Sequence, residues 1–231
     1  LALILAAAGA ALALWELGSR LPAGLWLDAV LAPDEGDMRQ LLVRYSWLPR
    51  LVTSLLCGAA LGLAGAIFQQ VLRNPLASPT TLGVAAGGKL ALALATLWAP
   101  GLLVLGREWV AVGGGGVAMA AVFALAWRRG LSPLAVVVAG LVLSLYFGAV
   151  GAALVLVNDH YLVSLFIWGA GSLSQQSWGA VTYLLPRLAV AGVLAALMVR
   201  PLTLLGLSDE VSGSLGLGLR GARLGALGLA V

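Results

Sequence analysis

The stretch Gln69-Gln70-Val71-Leu72-Arg73-Asn74-Pro75-Leu76-Ala77-Ser78-Pro79-Thr80-Thr81-Leu82-Gly83 is a polar, proline-punctuated break between two long apolar runs. A break of this kind must face water or be buried in protein, because unpaired backbone N–H and C=O groups are too costly in hydrocarbon. The runs on either side, Leu48 to Val71 and Leu82 to Leu105, are each long enough to cross a bilayer, which takes about 20 helical residues. The break therefore reads as a loop between two spanning helices. The expected fold class is all-α, a polytopic transmembrane helical bundle.

Composition points the same way. Hydrophobic residues make up 61% of the chain and charged residues 10%, with a mean hydropathy of +1.05, far from the roughly 25% charged of soluble domains. The formal charge of +4 is too sparse for a nucleic-acid footprint, and the aromatics do not interleave with Lys or Arg as a single-strand-binding surface requires. Nucleic acid is excluded as a partner, and the lipid bilayer is the expected surrounding. The single cysteine, Cys57, rules out an internal disulfide and a Cys-rich metal site. It reads as a small apolar helix residue.

Working outward, the predicted spans are Leu1 to Leu17, Leu48 to Val71, Leu82 to Leu105, Trp109 to Trp127, Pro133 to Val157 and Val181 to Val199, with a seventh starting near Leu224. Between them lie the long acidic segment Gly18 to Trp47, the break already quoted, the Gly106-Arg107-Glu108 turn, Arg128 to Ser132, Asn158 to Ala180 and Arg200 to Arg223. Leu1 is not an initiator Met, the opening run lacks the basic start of a signal peptide, and the last apolar run is too short to span. The sequence thus reads as a fragment, 1–231 being one transmembrane domain truncated at its C-terminal end. Arg128-Arg129 and Arg200 directly follow spans, whereas the opposite short turn offers only Arg107 beside Glu108. Basic short loops mark the cytoplasmic side, so the Arg73, Arg128 and Arg200 loops are assigned there. Trp15, Trp26, Trp47, Trp98, Trp109 and Trp168 then fall near outer ends and read as interfacial anchors.

Small residues predict close helix packing. Gly58, Gly62 and Gly65, with neighbouring alanines, give the second span a small-residue face suited to the inside of a bundle. Gly113 to Gly116 costs about 1 kcal/mol per glycine relative to Ala in soluble helices, so either tight packing offsets that cost or the helix opens there. Ordinary packing is the leading reading. Gly83 to Lys89 has the spacing of a phosphate-binding loop, but Leu90 stands where a Ser or Thr should hold magnesium and no strand precedes it. Gly216 to Gly221 fits a dinucleotide glycine pattern, again without a leading strand. Neither is read as a nucleotide site, and no cofactor is expected.

Catalytic constellations are absent from the sequence. The one histidine, His160 beside Asp159, has no second His or Cys to complete a zinc site, and Asp34, Glu35 and Asp37 read as a solvated loop. No carboxylate lies deep in a span, so the acids that mark many ion-coupled carriers are missing. An energy source outside the chain is the alternative, and Arg200 to Arg223 looks built to meet one. There, Leu202 to Leu207 is followed by Ser208 as an N-cap, with Asp209 and Glu210 in the first turn, where a helix dipole favours acids. Short helices with an apolar face outside the membrane suit docking onto a soluble partner.

At this point several ordered motifs agree with one family. Leu48-Pro49-Arg50, Gln69-Gln70, Arg73-Asn74-Pro75-Leu76 through Gly83, Leu131-Ser132-Pro133 with Ala139-Gly140-Leu141, Phe166-Ile167-Trp168-Gly169 with Gly171-Ser172-Leu173, and Arg200-Pro201-Leu202-Thr203 with Ser214-Leu215-Gly216-Leu217 resemble the permeases of binding-protein-dependent ABC importers for iron siderophores and vitamin B12. The resemblance covers essentially the whole chain and is nearest to the first half of the double-length, ferric hydroxamate type. It implies a ten-helix unit in the bacterial cytoplasmic (inner) membrane, a second permease unit, fused or separate, and an ABC ATPase dimer on the cytoplasmic face. It also implies a periplasmic or lipoprotein substrate-binding protein and a ferric siderophore as cargo; the permease itself is then no enzyme. By position, Asp209, Glu210, Ser214, Leu215 and Gly216 would lie in ATPase-coupling helices within 200–223. Arg50 would face the acidic binding protein; relatives often carry a further arginine where Trp47 stands, and Arg44 is the substitute at hand. A siderophore that holds iron through its own oxygens needs no protein metal ligands. The other readings are an ion-coupled secondary transporter, whose broken helices also give proline and glycine interruptions, a permease of the same family for vitamin B12 or haem, and a purely structural membrane scaffold.

Overall fold

The computed structural model describes residues 2–158 and 177–231, and no strand occurs among them. The described residues fall into two units, one drawn from 1–59 and 172–189, the other from 60–171 and 190–231.

In the first unit, α1 runs Ala2–Arg20 and is followed by a 3-10 turn, Ala23–Leu25, and the short α2, Trp26–Leu31. Next come α3, Met38–Leu42, one π-helical turn, Val43–Trp47, and the opening of α4, Leu48–Leu72. The segment expected as a loop, Gly18 to Trp47, is therefore largely helical. Its apolar residues explain why: Leu17, Leu21, Ala29 and Val43 are buried together, with Leu25, Trp26, Trp47 and Leu48 packed on them. The acidic tip is tied locally, because Asp37 accepts from the backbone N–H of Arg39 and caps α3, while the buried Gln40 accepts from the N–H of Asp34. Trp26 donates its indole N–H to the Leu21 carbonyl at 2.9 Å. Trp26 and Trp47 thus serve a small core rather than the membrane interface alone; Trp168 lies outside the described residues.

Helix α4 is continuous with what precedes it, giving a 35-residue apolar helical run from Met38 to Leu72. Three further described helices are long and apolar enough to cross a membrane: the run Arg107–Arg129, which contains α6 (Arg107–Ala126), α7 (Pro133–Val157) and α8 (Gly179–Leu197). Helix α7 starts with Pro133 at its first position, where a missing N–H costs nothing.

The third expected span comes out differently. Helix α5 covers only Val84–Trp98, 15 residues, which reaches about 22 Å at 1.5 Å per residue. The rest of the expected span, Pro100–Leu105, is 3-10 helix. Pro100 has no N–H to continue the ladder and pushes Ala99 out of the helical region; Ala99 sits at φ −142°, ψ 56°.

In the second unit, α5 packs on α6 through glycine. A Cβ on Gly87 would lie 2.5 Å from the Ala118 Cβ and 2.8 Å from the Gly114 carbonyl oxygen, and one on Gly114 would strike Ala91 and Gly87. The glycine run of α6 remains helical, and this close approach explains Gly114 within it, as it does the apparent phosphate loop: Gly87 and Gly88 belong to a helix interface. Gly113 and Gly116, by contrast, meet nothing within 4 Å. Gly58, Gly62 and Gly65 of α4 also have no described neighbour within 4 Å of an added Cβ, so the described residues do not cover the face expected to lie inside a bundle.

The core of this unit gathers Ile67, Phe68, Val71 and Leu72 from the end of α4 with Leu82, Met119, Val122, Val136 and Leu205. The last elements complete it: α9 (Val199–Leu205), α10 (Asp209–Ser214) and α11 (Leu219–Ala230). Helix α11 begins five residues before the expected Leu224, so Arg220 and Arg223 are helical. Arg223 shares the buried stripe of α11 with Ala226, Leu227 and Ala230.

Candidate functional site

The break that opened the chain is a self-bonded turn. The Asn74 N–H donates to the Gln69 carbonyl at 3.2 Å, the bond that closes a Schellman helix end. Arg73 occupies the position where that motif usually has glycine, at φ +49°. A left-handed conformation costs a non-glycine residue roughly 1–2 kcal/mol. Asn74 Oδ1 then accepts from the Leu76 N–H at 2.9 Å, the Thr81 hydroxyl donates to the Ser78 carbonyl, and the Thr81 hydroxyl oxygen accepts from the Ser78 N–H. Ser144 of α7 donates to the Thr80 carbonyl at 3.3 Å. Inward-facing Ala77 and Leu82 are buried, whereas Leu76 is 80% exposed. The polar break is thus a turn braced by its own side chains and by Ser144 of α7.

The strained Arg73 points across to the corner between α9 and α10. Its Nε donates to the Leu205 carbonyl at 2.9 Å, and its Nη2 donates to Asp209 Oδ1 at 2.6 Å. Leu205 ends α9, so the arginine satisfies one of the carbonyls a helix leaves orphaned at its end. The Leu204 carbonyl accepts from the Leu207 N–H and also from the hydroxyl of the fully buried Ser212, at 2.6 Å. From the other side Arg223 Nη2 donates to the same Asp209 oxygen at 2.7 Å, with the Arg223 side chain only 2% exposed. Its Nε–H has no acceptor among the described residues. Burial raises the Asp209 pKa, but the hydrogen bonds and charges of Arg73 and Arg223 outweigh it and hold the carboxyl below the ordinary aspartate range. Gln70, one turn before Arg73, lies against Gly206, where any Cβ would collide with its side-chain amide.

The expected N-cap is present: the Ser208 hydroxyl accepts from the Val211 N–H, with Asp209 and Glu210 in the first turn of α10. Glu210, Ser214, Leu215 and Gly216 are exposed while Asp209 is turned toward the two arginines. Leu207 before the Ser208 N-cap, Val211 within α10 and Leu215 at its C-cap remain 42%, 46% and 57% exposed. Arg220 lies over the Trp127 ring at 5.6 Å, joining the start of α11 to the end of α6.

In the first unit, Arg50 is exposed on the first turn of α4, with a long 3.5 Å contact to the Ser46 hydroxyl. The Arg44 carbonyl accepts from the Trp178 indole at 3.1 Å. His160, Asp159 and the Phe166 to Leu173 motif lie outside the described residues. Two arginines were not singled out from sequence. Arg223 reads as the end of a loop until its i+3, i+4 and i+7 partners Ala226, Leu227 and Ala230 place it on the apolar stripe. Arg187 sits within α8, donating to the Tyr183 carbonyl at 2.6 Å with its guanidinium 3.5 Å from the Tyr183 ring centroid; next to Pro186, its charge inside an apolar run was the available signal. A groove of about 660 Å³ beside α5 and α6, lined by Leu94, Trp98, Leu102, Trp109, Val117 and Phe147, is overwhelmingly apolar.

Several apolar helices long enough to cross a bilayer, joined by a bonded polar loop and by short helices, define a multi-pass α-helical membrane protein. More narrowly, the chain belongs to the FecCD transport family, whose description matches residues 3–231. It is 47% identical over 222 residues to the iron(3+)-hydroxamate import system permease protein FhuB of Escherichia coli (strain K12), covering 96% of this chain and 33% of that protein. To the Fe(3+) dicitrate transport system permease protein FecC of the same organism it is 34% identical over 200 residues, covering 85% of this chain and 60% of that one. In structure it is similar to an inward-facing metal-chelate type ABC transporter, with a TM-score of 0.71 and 25% identity, over 94% of this chain and 71% of that chain. The chain therefore spans about a third of the length of the hydroxamate relative and 60% of the dicitrate one. Its apolar helices and its family make it a multi-pass protein of the inner membrane.

Proposed function

We propose that this chain is part of the permease of a binding-protein-dependent ABC importer that moves a ferric hydroxamate siderophore into the cytoplasm. In this reading ATP is hydrolysed by a partner ATPase dimer, which docks on the face formed by the Arg73 to Gly83 loop and the helices between 200 and 223. The observation that carries it is the exposure of three apolar side chains, Leu207, Val211 and Leu215, on and beside α10, at a corner held from both sides by arginine. Exposed apolar side chains grouped at a corner tied by hydrogen bonds suit a protein partner. Glu210, exposed beside them, supplies charge at the rim, while Asp209 serves the corner itself. Ser214, Leu215 and Gly216 complete the docking segment.

Hydroxamate is preferred among iron chelates because identity to the hydroxamate permease is 47% against 34% for the dicitrate one. Exposed Arg50, with Arg44 near it in sequence, is the proposed contact for an acidic substrate-binding protein delivering cargo from outside. The uncovered Gly58, Gly62 and Gly65 face suits the remaining helices of a ten-helix unit, and a second such unit, fused or separate, would complete the path.

The test is co-purification of the ATPase with the full-length permease. Leu207→Asp with Val211→Asp should cut ATPase binding at least tenfold, and Glu210→Lys should cut it less. ATPase binding that is indifferent to all three changes would refute the docking face.

A further inference from the structure

Arg73 stands in a glycine position, at φ +49°, yet its side chain makes two bonds to a corner more than a hundred residues away in sequence. Strain of this kind persists where the surroundings over-determine it, and it points to a role for the residue that bears it. At the other end of the corner, α10 closes with Gly216 at φ +82° and the Leu217 N–H bonded to the Ser212 carbonyl, the same helix ending made with the residue it ordinarily takes. The arginine is therefore not required by the turn. What it adds is a fork that caps α9 at Leu205 and holds Asp209 in the first turn of α10.

Two further observations tie the same corner to the end of α4, and a third ties it to α11. Gln70 lies against Gly206. Phe68, Val71 and Leu72 are buried in one cluster with Leu205 and Leu227. Arg223, 2% exposed, grips Asp209 from α11, so the carboxylate is shared between the end of one helix and the body of another. The corner can move only with α4 or by giving up the shared carboxylate.

We propose that Arg73 is a positioning residue that fastens α10 to the end of α4, so that displacement of the docking helices is passed directly into α4. The proposal rests on the reading of α9 and α10 as the ATPase-docking face. Of the two arginines, Arg73 is the releasable one, because its side chain is 29% exposed against 2% for Arg223.

The test has two arms, both on the full-length permease in lipid nanodiscs or liposomes. Without any ATPase, amide hydrogen exchange across residues 208–214 is compared in wild type, Arg73→Gly and Arg73→Lys. Glycine suits the backbone at this position, so the fold is retained. Exchange should accelerate at least tenfold in Arg73→Gly and by less in Arg73→Lys, which keeps charge but not the fork; unchanged exchange overturns the clamp. With the ATPase present, siderophore uptake per ATP hydrolysed should fall at least fivefold in Arg73→Gly and recover in part in Arg73→Lys. A ratio equal to wild type overturns the relay even if exchange has risen. Failure of the wild-type permease to bind any ATPase instead overturns the docking reading and the relay with it, while the exchange arm still decides the clamp.

Discussion

Asp209 shows how one side chain can look like a surface group in sequence and act as a structural one. It reads naturally as an acid favoured by a helix dipole, equivalent to Glu210. Its neighbours make the two different: one oxygen takes hydrogen bonds at 2.6 and 2.7 Å from two arginines, one of them buried. Removing a buried ion's partner costs more than the pair is worth, because the remaining charge is left without compensation. Asp209 itself is 42% exposed, so solvent screens the loss. Asp209→Asn should destabilise the permease by about 1–2 kcal/mol rather than the ~3–5 kcal/mol of a fully buried pair, and thermal unfolding in detergent measures it. The pH dependence follows from the sign of the shift. A depressed carboxylate pKa gives stability that is complete above the unfolded-state value and is lost as pH falls through the folded-state one. The gap in unfolding temperature between wild type and Asp209→Asn should be full at neutral pH and close only below the ordinary aspartate range.

At the scale of elements, most of what the sequence made legible came from length and period. The ranges of α4 and α7 match the apolar runs that predicted them, because nothing interrupts those runs. The third span was overread because hydropathy does not register that Pro100 ends a helix in the middle of an apolar stretch. The Gly18 to Trp47 segment was underread because its helices are too short to show a period, and only the burial of Leu21, Ala29 and Val43 makes them worthwhile. Glycine had the opposite problem: the pattern was visible and its meaning was not. Packing distinguishes Gly87 and Gly114, which face another backbone, from Gly113 and Gly116, which face open space. Gly114→Val should cost about 1–3 kcal/mol, the usual range for overpacking. Gly113→Ala and Gly116→Ala should be neutral or stabilise by up to ~1 kcal/mol through helix propensity. Comparing unfolding temperatures of the three variants checks both halves; equal effects at Gly113 and Gly114 would contradict the packing. The site was legible in part, since Ser208, Asp209 and Glu210 announced a helix start. Its Arg73 and Arg223 contacts, 136 and 14 residues from Asp209, left no local pattern to find.

For the molecule as a whole, charge placement carries two expectations. With Cys57 replaced by Ala, single cysteines at Ser78 and at Glu35 should react with a membrane-impermeant thiol reagent from opposite sides of oriented vesicles, Ser78 from the cytoplasmic side. Labelling of both from one side would invert or break the assigned topology. If the proposed acidic substrate-binding protein docks at Arg50, its docking should be steered by charge, since such association rates fall as salt rises. Arg50→Glu should slow it about tenfold at low salt and less at high salt, as stopped-flow fluorescence would show.

On the proposed function, transport is powered by an ATPase seated on the Arg73 loop and the α9–α10 corner. The most direct measurement is uptake of a ferric hydroxamate into liposomes holding the full-length permease and its ATPase, with binding protein outside. Uptake should require ATP and binding protein together and should be lost in the Leu207→Asp, Val211→Asp variant. Uptake driven by an ion gradient without ATP, or undiminished in that variant, would contradict the account.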